Sequence, residues 1–193
     1  MKIALSGAMG AGKTTAINIF KKFDIKVVNA DLYCKELLFN NEEVKSQVKL
    51  LLGEEVYDRD NLPILQNIAQ KVFSSSELLA KYELIFHKPF EEFIAQKVPK
   101  EEIIVYEIPL LFEKKLEKNF DLCLSLFCSE AIRRTRLYSR NMCEEDIIKR
   151  DSFQLPPEKK VQLADIVLFN ETSEAFLEAQ IKNFFDKIKC KTI

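Results

Sequence analysis

Glycine is scarce in this chain, with 4 among 193 residues, so any place where glycines gather marks a special backbone. The 5 cysteines (Cys34, Cys123, Cys128, Cys143, Cys190) are odd in number and include no C-x-x-C pair. That pattern builds neither a complete disulfide framework nor the ligand spacing of a zinc site. Reduced structural thiols are therefore expected, and the cytoplasm is the natural compartment. No apolar run approaches the roughly 20 residues that span a bilayer. The opening MKIALSGAMG meets a glycine too early to be a signal-peptide core. Charge of either sign is not in excess: 29 basic against 30 acidic residues leaves −1, so no broad basic footprint for nucleic acid or anionic lipid exists. Repeats and low-complexity linkers are absent as well.

What is present describes a folded protein. Apolar residues make up 47% and charged residues 31%, which excludes a disordered chain. A chain of this length buries roughly 70% of its unfolded surface, enough for one compact domain with a small inserted lobe. Strands are expected at KIALS (2–6), IKVVNA (25–30), EEIIVYEIP (101–109), FDLCLSLF (120–127) and DIVLFN (165–170). Helical spacing runs from Lys13 to Phe23, and helices are expected over 129–139, 143–153, 157–163 and 173–188. The stretch 36–97 has helical character, broken near Gly53 and Pro63. Five strands alternating with helices predict an α/β domain with a mostly parallel sheet.

Three of the 4 glycines lie in residues 7–14, GAMGAGKT, which fit G-x-x-x-x-G-K-[ST] throughout. This Walker A signature follows a strand and opens a helix, as its chemistry requires. Gly7, Gly10, Ala11 and Gly12 form a loop whose amides, with the helix N-terminus, face a phosphate. Lys13 reaches the β- and γ-phosphates, Thr14 supplies a hydroxyl for Mg²⁺, and Thr15 completes the nucleotide-binding run. ATP and Mg²⁺ are the expected cofactors.

Asp31 ends the run VVNAD at the carboxyl end of the second strand. There it can take a proton from a substrate hydroxyl, or cap a helix beginning near Leu32, and the two roles are compatible. Glu107 closes the EIIVYE strand; either it faces the metal through water or it bonds loop backbone. His87, the only histidine, is either a packed or capping residue or a substrate contact. Arg133, Arg134, Arg136 and Arg140 crowd one helix and its end. They form either a solvated face paired with Glu130, Glu144 and Glu145, or a source of charge for the transferring phosphoryl group. Asn170 follows the fifth strand, as an adenine-loop residue or a strand terminator.

GAMGAGKTT, VVNADLYCKELL, IPLLFE (108–113) and AD-x-V-x-x-N (164–170) together resemble the dephospho-CoA kinases, in the family's order and over nearly the whole chain. The resemblance implies a P-loop three-layer sandwich like adenylate kinase. It also implies a helical substrate-binding region at about 58–100 and a lid at about 141–163. The implied reaction passes the ATP γ-phosphate to the ribose 3′-hydroxyl of dephospho-CoA, the last step of coenzyme A synthesis. It implies Asp31 as base or hydroxyl-orienting residue, Arg140 as lid arginine with Arg136 second, and His87 near the substrate. The chain departs from the family's pattern at Asn29 and Glu107, where Asp is usual, and at His87-Lys88-Pro89, where a residue splits a His-Pro pair. Expected partners are ATP and dephospho-CoA, with no nucleic acid and no membrane, the chain being a monomer or small homo-oligomer. Two rivals stand against this reading: a kinase for another small hydroxyl, and a nucleotide switch without an acceptor. A guanine-specific switch would carry N-K-x-D, which this chain lacks.

Overall fold

A computed structural model describes residues 1–99 and 102–191, with side chains at the C-terminal end as far as residue 188. The thiol of Cys190 and the first residue of the strand expected from 101 lie outside the described residues. In chain order the first elements are β1 (Lys2–Gly7), α1 (Lys13–Lys22), β2 (Lys26–Asn29), α2 (Ala30–Asn40) and α3 (Glu42–Leu52). Then come α4 (Leu65–Val72), α5 (Ser76–Ala95), β3 (Ile104–Glu107) and β4 (Leu122–Phe127). The last are α6 (Glu130–Tyr138), α7 (Glu144–Asp151), α8 (Pro157–Leu163), β5 (Ile166–Phe169) and α9 (Glu174–Lys191). The chain divides into two compact units, Met1–Asn29 with Val98–Ile193, and Ala30–Lys97.

The first unit holds a five-stranded sheet in the order β2-β3-β1-β4-β5, every pairing parallel. Strands of a parallel sheet are covered on both faces, which is why KIALS and LCLSLF read as unbroken apolar runs. Ile3, Leu5, Val105, Leu124 and Leu126 share one buried cluster with Ala16, Ile19 and Phe20 of α1 and Leu177, Ile181 and Phe184 of α9. Meanwhile α8 packs against β1 and β4. The edge of β5 is closed by a side chain rather than a strand. Gln180 accepts the Phe169 N–H at 2.9 Å and donates to the Phe169 carbonyl at 2.7 Å, which blocks pairing with another chain. The strand order reverses across β1, with β3 on one side and β4 on the other. In open α/β sheets the ligand crevice lies at the carboxyl ends beside such a reversal.

The second unit is a helical bundle around Val44, Val48, Leu52, Val56, Ile68, Val72 and Phe86. The Asn41 side chain caps α3 by accepting the Val44 N–H at 3.0 Å, and Ser75 caps α5. The expected breaks fall where α3 ends against Gly53 and where Pro63 bridges to Tyr57. Helical structure begins earlier than position 36, at Ala30. Pro89 sits inside α5, which continues past it. Tyr33 stacks on Phe93 with ring centroids 4.0 Å apart, joining α2 to α5.

Candidate active site

The glycine-rich run forms the turn from the centre of the sheet into α1. Gly12 sits just ahead of the helix at φ 98°, in the left-handed region, and a Cβ there would strike the Asn170 side-chain amide. At Gly7 a Cβ would come within 2.6 Å of the Leu126 carbonyl on β4. Both positions therefore demand glycine. The loop folds on itself through Ala11 N–H to the Ala8 carbonyl at 3.1 Å. The Lys13 ammonium donates to the carbonyls of Gly7 at 2.9 Å and Ala8 at 3.2 Å, so it lies over the loop. Thr14 is exposed and Thr15 half-buried in the first turn of α1, which carries no acidic residue. The partial positive charge of that helix end is thus left for an anion.

Residues more than a hundred positions away brace this loop. Asn170, just past β5 and 5% exposed, donates its side-chain amide to the Ala11 carbonyl at 2.8 Å. Arg136 reaches the same carbonyl at 3.4 Å and the Asn170 carbonyl at 3.0 Å. Ala11, Arg136 and Asn170, all expected at the nucleotide, thus form one hydrogen-bonded group, against which Gly12 packs.

The arginine-rich helix divides by burial. Arg133 is 3% exposed and donates to Asp151 at 2.6 and 2.8 Å, to Glu130 at 2.7 and 2.9 Å, and to the Met9 carbonyl at 3.3 Å. It ties α6 and α7 to the loop. Hydrogen bonds from Arg133, with Arg134 beside it, pull the Glu130 carboxyl down to about 2. Neither alternative drawn from the sequence for the arginine run, a solvated face or a source of charge for the phosphoryl group, includes this buried bracing role of Arg133. Its signal was the spacing of four residues to Leu137, which is buried on the same helix face. Arg134 pairs with Glu130 and Glu144. Arg140 is exposed, and its guanidinium has no partner among the described residues.

Glu107 ends β3 at 7% exposure, in register with Leu5 of β1 and Asn29 of β2. Its carboxylate accepts a hydrogen bond from the Asn29 side-chain amide. The structure thus adds a partner that neither sequence alternative included: a side chain across the sheet. Asp31 is the second residue of α2, exposed, in the first turn. The helix begins before it, at Ala30, so Asp31 is not a cap for a helix starting near Leu32, and that expectation is corrected. A carboxylate in the first turn is instead favoured by the helix dipole. In the helical unit, His87 lies exposed on α5, its Nδ1 3.6 Å from Glu91 one turn on.

The sequence model of the dephospho-CoA kinase family matches residues 1–175. The chain belongs to the dephospho-CoA kinase family. It is 32% identical over 184 residues to the dephospho-CoA kinase of Bdellovibrio bacteriovorus, spanning 93% of this chain and 92% of that one. A solved protein of Thermus thermophilus superposes with a TM-score of 0.77 at 26% identity over 97% of each chain. The dephospho-CoA kinase of Campylobacter jejuni shares the fold, with a TM-score of 0.70 at 21% identity over 100% of each chain. Membership makes this chain an α/β P-loop kinase that passes a phosphoryl group from ATP to a hydroxyl.

The kinase's other family-like blocks brace the loops around the sheet. Lys160 of α8 is fully buried at 0% exposure, donating to the Pro109 carbonyl at 2.7 Å and pairing with Glu113 at 2.9 Å. Burial pushes the Lys160 amine down, and Glu113 partly restores it. The Ser6 hydroxyl donates to the same Pro109 carbonyl at 3.1 Å, and Glu113 accepts the Leu155 N–H at 2.7 Å. IPLLFE thus ties α8, and Leu155 two residues before it, to the strand that leads into the phosphate loop. Asp165 accepts the Cys123 N–H at 2.7 Å, fixing β5 against the start of β4. Cys34, Cys123, Cys128 and Cys143 are free thiols. No helix among the described residues is long and apolar enough to cross a membrane.

Proposed function

We propose that this kinase transfers the γ-phosphoryl group of ATP to the ribose 3′-hydroxyl of dephospho-CoA, giving coenzyme A and ADP. The observation that carries the reading is a phosphate loop held in shape by Asn170 and Arg136, in a chain of the dephospho-CoA kinase family. The 3′-oxygen bonds to the γ-phosphorus, the bond from that phosphorus to the β–γ bridging oxygen breaks, and ADP carries the electron pair away. The hydroxyl proton passes to Asp31, which follows the end of β2 by two residues.

The loop amides of Gly7, Gly10, Ala11 and Gly12 hold the phosphates, with Lys13 at the β- and γ-phosphoryl oxygens. Arg140, uncommitted to any described partner, neutralises charge on the equatorial oxygens. The Thr14 hydroxyl and Glu107 carboxylate are hard oxygen donors of the kind Mg²⁺ uses beside substrate phosphates. Among the described residues no cluster of three or more His, Cys, Asp or Glu side chains offers an all-protein cage, which suits a metal held largely by the nucleotide. When bound, Mg²⁺ supplies charge neutralisation on the phosphates.

We assign the substrate's pantetheine-bearing end to the helical region of about 58–100, with His87 as a contact. The lid is assigned to about 141–163, where it excludes water from the phosphoryl group. The free thiols support a reducing, cytoplasmic setting. The test is ADP release by purified protein with dephospho-CoA, with AMP, and with no acceptor, and with ³¹P NMR of the product. Release with dephospho-CoA alone, and a new 3′-phosphomonoester, is expected. Equal release with AMP or without an acceptor would overturn the assignment.

A further inference from the structure

We propose that Asn29 is a positioning residue for the metal-side carboxylate, holding Glu107 in the one rotamer that faces the phosphate site. The proposal rests on the assignment of Glu107 to the metal made above. Asn29 and Glu107 are the last residues of neighbouring parallel strands and stand opposite each other in register. In-register neighbours in a sheet present their side chains to the same face. The Asn29 amide donates to Glu107, whose backbone is fixed separately where the Ile108 N–H donates to the Leu5 carbonyl at 3.0 Å. Leu5 lies two residues before Gly7, so position 107 stands beside the strand that enters the phosphate loop.

The residue type matters as much as the contact. Glutamate has three rotatable bonds, and each fixed donor narrows the rotamers open to a buried one. An amide N–H narrows them by direction, since the carboxylate oxygen must stay within reach of the donor. Groups that orient a metal-side ligand typically carry about a tenfold or larger share of metal affinity.

The experiment compares Asn29→Ala, Asn29→Leu and Glu107→Gln, alone and combined. The readouts are the Mg²⁺ concentration at half-maximal rate, KM for ATP at saturating Mg²⁺, and Mn²⁺ binding to the ADP complex by electron paramagnetic resonance. Leucine has the branched heavy-atom outline of asparagine without its hydrogen-bonding groups, so Asn29→Leu carries the test if the Ala variant fails to fold. Each Asn29 variant is expected to raise the Mg²⁺ requirement about tenfold and to weaken Mn²⁺ binding in parallel, with KM for ATP unchanged. Added to Glu107→Gln, the Asn29 substitution should cost nothing further. If Glu107→Gln weakens metal binding while the Asn29 variants match the parent, or if the effects add, the positioning role is overturned. If Glu107→Gln itself leaves metal binding unchanged, the metal assignment fails, and the positioning proposal falls with it.

Discussion

The side-chain amide of Asn170 donates to the backbone carbonyl of Ala11, 159 residues earlier, at 2.8 Å. This one bond ties the carboxyl end of the edge strand β5 to the turn that enters α1. It also explains why position 12 is glycine, since the Asn170 amide occupies the space a Cβ would take. Asn170 therefore shapes the loop, and the effect proposed for it on nucleotide binding runs through that shape.

Among the described residues, Asn170→Ala leaves the Ala11 carbonyl with the longer 3.4 Å bond from Arg136. A loss of about 1–2 kcal/mol is expected by urea unfolding, the size of a weakened buried hydrogen bond. KM for ATP should rise by severalfold while KM for dephospho-CoA stays near the parent value. A parent-like KM for ATP would show that the bond does not shape the loop.

Asp31 and Lys13 should separate by kinetics. Asp31→Asn keeps the shape of the side chain but removes the proton acceptor, so kcat should fall roughly a hundredfold or more with ATP affinity nearly intact. Lys13→Ala should impair both ATP binding and transfer, because its ammonium lies over the loop that holds the phosphates. Steady-state rates and fluorescence titration of ATP distinguish the two patterns.

Arg133 and Arg140, seven residues apart, should behave oppositely. Arg140 is exposed and unpaired among the described residues, so Arg140→Ala should leave stability within about 0.5 kcal/mol. Turnover should nonetheless drop by roughly two orders of magnitude. Arg133→Met removes the shared partner of Glu130, Asp151 and the Met9 carbonyl and should destabilise by about 2 kcal/mol. The cost stays below that of a fully enclosed pair because Glu130 and Asp151 still reach water. Thermal melts paired with kcat reveal the contrast.

The same cluster sets an acid response. Glu130 has an ordinary value of 4.5 and is held at about 2 in the fold, chiefly by hydrogen bonds from Arg133. A carboxyl lowered on folding contributes stability that is complete above its unfolded value and lost as pH falls through its folded value. Stability should therefore decline between about pH 5 and pH 2, and less steeply in Arg133→Met. Denaturant midpoints measured across that range check the slope; an unchanged slope in the variant would contradict the coupling.

Much of this protein was legible along the chain, because its signals are local. The phosphate loop is eight consecutive residues, GAMGAGKT, whose spacing can be read without any distant partner. The five strands announced themselves as apolar runs, because a parallel sheet buries both faces. The start of α2 was misplaced because Asp31 suits a cap as well as a first turn, and only the backbone separates them.

By itself the sequence determined the fold class, the nucleotide loop and the family blocks, since each rests on a short pattern with one physical solution. The partners of the charged and amide side chains were decided only in three dimensions. Arg133 and Arg140 look alike in the chain, yet one is enclosed by two carboxylates and the other stands free of described partners. IPLLFE showed no sign that it would receive the fully buried Lys160, and Asn29 and Glu107, 78 positions apart, gave no hint of their bond. The reason is the cost of burial: a polar group leaves water only where folding delivers its partner, and that partner comes from a distant segment.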